Sequence, residues 1–309
     1  MNRTEAGAEW QSAARIRATG DHDSDMIWRM FATIGHTFEL MKMSWHVLQK
    51  DRELIFFPIM STVAMLITVG GFALVANATG TMGRYNDVQN EVPGATMTAG
   101  DVTMGILIFF LTTFIGIFFN AALISAALER LRGSDPNISS GLSHALRHLP
   151  AIIGWAIVAA TVGLLLQLLR NMAKDNFLGQ IAVSMVGGVW AYLTFFVIPV
   201  LVAEELGPIA AFKRSKEMFS RTWGRQFAAS FGFGLVYMLA VLAALIPSAI
   251  LFFIHPLLGI AGGAFFFAMA LGGVAAMEGI FKAALYQYAA GETPTEFDQT
   301  ALSGAYRAL

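Results

Sequence analysis

Between Glu204 and Arg225 the chain carries its densest set of charged side chains: the carboxylates Glu204 and Glu205 at the turn, then five cations, Lys213, Arg214, Lys216, Arg221 and Arg225, with Glu217 among them. Such a set suits three tasks. The cations can anchor against anionic headgroups, at about 1 kcal/mol each. Glu204 can pair with Arg214 and lock the turn at Gly207-Pro208, or the basic residues can form a pocket for a phospholipid headgroup or a soluble partner. His144 and His148 stand four apart, which puts two imidazoles on one helical face, as a metal site needs. No third ligand is near and Arg147 stands beside them, so they read as histidines at the headgroup level. The acidic run at Asp21, Asp23 and Asp25 reads as solvated tail. A catalytic reading would require Glu129, His144, His148 and Glu204 to converge on one face within hydrogen-bond reach. There is no Gly-rich phosphate cradle followed by Lys, no G-x-S-x-G elbow and no H-E-x-x-H helix. No catalytic, cofactor-binding or metal-ligating residue is therefore assigned, and no cofactor is expected.

The elements that must position these residues follow from composition. A 309-residue chain that is 56% hydrophobic and only 13% charged, with mean hydropathy +0.61, lies outside the soluble range, where about a quarter of residues are charged. The reading is an all-α polytopic membrane helix bundle: six transmembrane helices plus cytoplasmic amphipathic elbow helices. With no cysteine, disulfides, thiolate metal sites and a cysteine nucleophile are excluded. A net charge of −1 speaks against a nucleic-acid partner. Residues 1–25 are a polar tail without the apolar core of a cleavable signal, so insertion is expected to be driven by the first span. Residues 26–46 carry Ile27, Met30, Phe31, Ile34, Phe38, Met41 and Trp45 at steps of three and four, an amphipathic helix lying in the headgroup zone or beneath the bundle. The membrane domain covers 26–290, with spans at about 54–76, 105–128, 151–169, 180–203, 227–254 and 257–277, each long enough for a core of about 30 Å. Residues 77–104 read as an external loop and 291–309 as a tail. Pro247 is expected to kink the fifth span, and Glu278 and Lys282 stand at helical ion-pair spacing where the sixth span leaves the bilayer.

Lys and Arg sort sharply between alternate loops. With both ends inside, the internal segments hold seven, three, five and two, and the external loops one, two and none, a 17 to 3 split. The positive-inside rule then places both ends in the cytoplasm and the protein in a cell membrane. No Asp, Glu, Lys, Arg or His falls inside the six spans as drawn, which disfavours proton relays, ion-coupled transport and intramembrane acid-base catalysis. Asn120 and Gln167 are the candidate intramembrane polar groups; such side chains commonly join helices, though Asn120 could line a polar cavity. Small residues at Gly259, Gly263 and Gly272, with Ala268 and Ala276, give the sixth span a narrow face for close packing or a homo-oligomer seam. Thr37-x-Glu39-Leu40-Met41-x-x-Ser44-Trp45 and Ser215-x-Glu217-Met218-Phe219-x-x-Thr222-Trp223 match in type and each leads into an apolar run, which suggests two related halves.

Gly154-Trp155-Ala156, Ala160-Thr161-Val162-Gly163, Phe195-Phe196-Val197-x-Pro199-Val200-Leu201, Glu204-x-x-Gly207-Pro208, Lys213-Arg214-Ser215 and Phe219-x-x-Thr222-Trp223-Gly224 resemble the pattern of an uncharacterised prokaryotic membrane-protein family, domain-of-unknown-function family six-one-five-nine. The resemblance runs from about Phe38 to Ala290 and implies a six-span topology without implying an activity. A looser similarity extends to the membrane domain of some glycerophosphodiester phosphodiesterases. The function expected is a non-enzymatic structural, lipid-interacting or accessory component of the cytoplasmic membrane, with anionic headgroups as partners. The alternatives are an uncoupled permease or exporter for an apolar or amphiphilic solute, and thirdly an enzyme with a cytoplasmic-face site.

Overall fold

The computed structural model describes residues 41–223 and 233–297. Every regular element among them is helical. Helix α1 covers 41–50, and a tight turn, Arg52–Ile55, leads into α2, Phe56–Ala78. Then follow α3 (Thr81–Gln89), α4 (Ala99–Leu131), α5 (Ile138–Arg147) and α6 (Leu149–Met172). The remainder is α7 (Phe177–Leu193), α8 (Val197–Ala203), α9 (Pro208–Trp223), α10 (Phe233–Ile254) and α11 (Pro256–Ala289). Six segments are long and apolar enough to cross a membrane: α2, α4, α6, α7 with α8, α10 and α11. The bundle is therefore that of a polytopic membrane protein.

Helix α4 is the central post, touched by α2, α5, α6, α8 and α11. Its small residues Ala121, Ala122, Ala126 and Ala127 are fully buried and let the neighbours close in. The core lies at one end of the bundle, where α2 begins and α4, α8 and α11 end. We call this end the elbow face. Toward the opposite end, Leu66, Ile67, Leu74, Leu168 and Phe177 are exposed, as suits helices that lipid covers.

Three expectations change. Span four is not one helix, because α7 stops at Leu193 and α8 starts at Val197. Within 77–104, read as loop, lies α3, whose Arg84 pairs with Asp101 through Nε–Oδ2 at 2.7 Å and Nη2–Oδ1 at 2.6 Å. The same carboxylate accepts from Thr81 Oγ1 and from the backbone and hydroxyl of Thr98, closing the α4 N-terminus in a capping box. A weakly patterned segment becomes helical because one tertiary anion holds it. Residues 291–297, read as tail, dock on the end of α4: Thr295 N–H and Oγ1 both donate to Leu131 O, and Phe297 is buried. Lys50–Glu296 at 2.7 Å and the Arg130–Asp51 pair fix the same face.

Candidate functional site

The elbow is built on a break in the backbone. Pro199 has no N–H, so Phe195 O loses its helical donor, and the chain turns through Thr194, Phe195 and Phe196. The turn leaves Leu193 O and Phe196 N–H without helical partners. Both are taken by one side chain: Ser215 Oγ on α9 donates to Leu193 O at 2.9 Å and accepts from Phe196 N–H at 3.0 Å. Ser215 is fully buried. Non-helical backbone at membrane depth survives only when protein seals it, and one hydroxyl does so here.

Helix α8 is short and buried from Val197 to Val202, and its C-terminal carbonyls need donors. His144 Nε2–H supplies one, to Val202 O at 3.0 Å. Arg147 Nη2 donates to His144 Nδ1 at 2.9 Å, so the ring carries its proton on Nε2. Beyond the cap, Glu205 adopts φ +53°, a left-handed conformation in which helices usually place Gly. Its carboxylate lies 3.8 Å from His148 Nε2. Arg214 Nε donates to both Glu204 oxygens at 3.1 Å, and Tyr286 Oη of α11 donates to Glu204 Oε1 at 3.2 Å. The turn is thus tied to α9 and to α11. The start of α9 meets α6 where Gly154 has no Cβ; one there would come within 2.8 Å of Pro208 Cγ. Trp155, Trp190 and Phe212 of α6, α7 and α9 then stack on each other with centroids 5.8–6.3 Å apart.

The five elbow cations do not act as one set. Arg214 turns inward to Glu204, whereas Lys213 and Lys216 are exposed. Arg221 lies on the last turn of α9, and Arg225 falls outside the described residues. Ile209 is 56% exposed on the outer side with Lys213 and Lys216, away from the packed face of the helix. The buried stripe instead runs through Ala211, Ser215, Met218 and Phe219, because the helix turns its small and polar residues toward the broken segment. Of the residues a catalytic centre would need, His144 and His148 gather at the Glu204-Glu205 turn, and the three-residue histidine or carboxylate group a metal requires does not occur among the described residues. The first copy of the Trp-ended repeat lies partly outside the described residues.

Asn120 lines a partly open cavity of about 650 Å³ between α2, α4, α10 and α11. Its amide has no hydrogen-bond partner among the described residues. The same cavity holds a cluster in which Glu278 meets Lys282 Nζ at 2.7 Å and accepts from Tyr237 Oη at 2.8 Å. Lys282 Nζ also lies 5.6 Å from the centre of the Phe195 ring. Gln167 lines a separate cavity of about 510 Å³ with Phe109 and Asn171, and the two share no lining residue. Of the two readings given to the glycines of the sixth span, close packing or an oligomer seam, the contacts within the chain show close packing. Gly259 and Gly263 face Phe252 and Ser248 of α10, and Gly272 faces Pro58 and Ile59 of α2.

Sequence reasoning missed Ser215, Tyr237 and Tyr286. For Ser215 the signal was present: an apolar run containing Pro199 must have its open peptide groups sealed, and Ser215 is a hydroxyl on the next helix. The two tyrosines gave none, since what they meet is set by packing between distant helices. No curated protein matches the chain. The sequence profile of a family of unknown function, DUF6159, matches residues 101–295, from the capping box of α4 to the docked tail, and the chain belongs to that family.

Proposed function

We propose that the protein is a non-enzymatic, lipid-interacting component of the prokaryotic cytoplasmic membrane, with both ends inside, whose elbow helix α9 rests on anionic headgroups. The observation that carries this reading is the division of α9 into two faces. Ser215 and Arg214 are held inward by the broken helix and Glu204, while Ile209, Lys213 and Lys216 form the outer face. A helix with one apolar side chain and two exposed ammonium groups outward suits the headgroup zone, where lysines extend to phosphates. The 17 to 3 distribution of Lys and Arg supports the orientation.

The test is retention of phosphatidylglycerol by the full chain in mild detergent, read by native mass spectrometry. Lys213→Gln with Lys216→Gln should lower retention about 10–30-fold, at about 1 kcal/mol per cation, and leave the melting midpoint unchanged. Unchanged retention would sink the reading. Orientation is tested apart from it: reporters fused after Ala203 and after Met277 should fall on the same side.

A further inference from the structure

The cavity at Asn120 has a shape and a charge pattern that the elbow does not account for. Its charged groups, Glu278 and Lys282, lie at the elbow-face end, with Tyr237 joining them from α10. Phe119, Phe267, Leu271 and Met65 give the rest apolar walls. Along α11 the lining runs from Ala264 to Lys282, about 27 Å at 1.5 Å per residue. At about 650 Å³ the cavity is an apolar slot with room for one hydrocarbon chain. Leu123 of α4 is level with Gly279 of α11, and both helices run toward the elbow face, so Asn120 lies about one turn deeper than the charged pair. From the elbow face inward the order is an ion pair, an amide without a hydrogen-bond partner among the described residues, and an apolar slot.

We propose that this cavity binds one zwitterionic phospholipid carrying a primary ammonium. Its phosphate meets Lys282, its ammonium meets Glu278, an ester carbonyl accepts from Asn120, and one acyl chain fills the slot. Charge decides the headgroup. Glu278 and Lys282 sum to zero, so an anion alone would gain Lys282 and oppose Glu278 beside it, and a cation alone would do the reverse. A head bearing both signs satisfies both. Each partner has capacity left: an ammonium has three donors, of which one reaches Glu278, and a carboxylate accepts about four bonds, of which Lys282 and Tyr237 take one each. The volume lies within the roughly 300–1,000 Å³ of ordinary ligand sites.

The inference does not use the outer face of α9, and its test is made in the Lys213→Gln/Lys216→Gln background so that headgroups at the elbow do not contribute. The full chain in mild detergent is offered equimolar phosphatidylethanolamine and phosphatidylglycerol with identical chains, and bound lipid is read by native mass spectrometry. Phosphatidylethanolamine should be retained about tenfold over phosphatidylglycerol, as one charge-assisted hydrogen bond of about 1.5 kcal/mol would give. Glu278→Gln keeps an acceptor for Tyr237 but removes the carboxylate, and should erase the preference. Ala268→Phe should fill the slot and strip both lipids. Equal retention of the two lipids, a preference that survives Glu278→Gln, or full retention by a folded Ala268→Phe would overturn the proposal. If Ala268→Phe does not fold, the wild-type ratio and Glu278→Gln decide it.

Discussion

The elbow and the α10–α11 hairpin solve the same problem, two segments meeting inside a membrane, by opposite means. In the elbow the backbone departs from helix, and directional bonds repair it: Ser215 at the break, His144 at the cap, Arg214 and Tyr286 on Glu204. In the hairpin both helices run nearly uninterrupted and the contact is made by missing side chains. A Cβ at Gly259 would lie 2.4 Å from Phe252 Cα, and one at Gly262 2.3 Å from Leu251 Cδ1. The outer faces differ accordingly. Phe253, Ile254, Leu257 and Ile260 are exposed on the hairpin, whereas α8 is buried on all sides. Apolar association is not driven by the hydrophobic effect in lipid, so close backbone approach suffices for helices that stay helical. Open backbone cannot rely on lipid at all.

Five substitutions, one of them a control, break or sharpen this contrast. Ser215→Ala should cost most, about 2–5 kcal/mol, because two buried peptide groups lose their partner together. The measurement is unfolding in mixed micelles, and a cost below about 1 kcal/mol would mean that the break is sealed by something else. Gly259→Ala should cost about 1–3 kcal/mol, since the added methyl meets backbone that cannot rotate away. Gly187→Ala, with open space around it, is the control and should be neutral or stabilising by about 0.5–1 kcal/mol.

Glu204→Gln should cost less, about 1 kcal/mol, because both partners of the Arg214 pair are partly exposed. A double-mutant cycle with Arg214→Gln should show coupling of about 0.5–1 kcal/mol. At the elbow one change has the opposite sign: Glu205→Gly relieves a left-handed residue and should stabilise by about 0.5–1 kcal/mol, read as a raised melting midpoint.

The apolar spans were legible because a run of about 20 uncharged residues has one arrangement in a bilayer, a helix across it. The Glu278–Lys282 spacing was legible for the same local reason. The break at Thr194 to Phe196 was hidden by an uninterrupted apolar composition, although Pro199 marked it. Helix α3 was hidden because its stability lies in Asp101, 17 residues beyond Arg84. At the elbow the pairing of Glu204 with Arg214 could be suggested from charge, but not which cations face out. That division depends on where Ser215 must point, and hence on the break.

The Ser215 bridge also orders events in time. Its hydroxyl lies 22 residues after the carbonyl it seals. At about 5–20 residues per second, roughly 1–4 s pass between synthesis of Leu193 and of Ser215. Throughout that interval the fourth span carries open peptide groups that hydrocarbon cannot satisfy. Until α9 arrives those groups need other partners, such as water, and Ser215 is the group that replaces them in the folded chain.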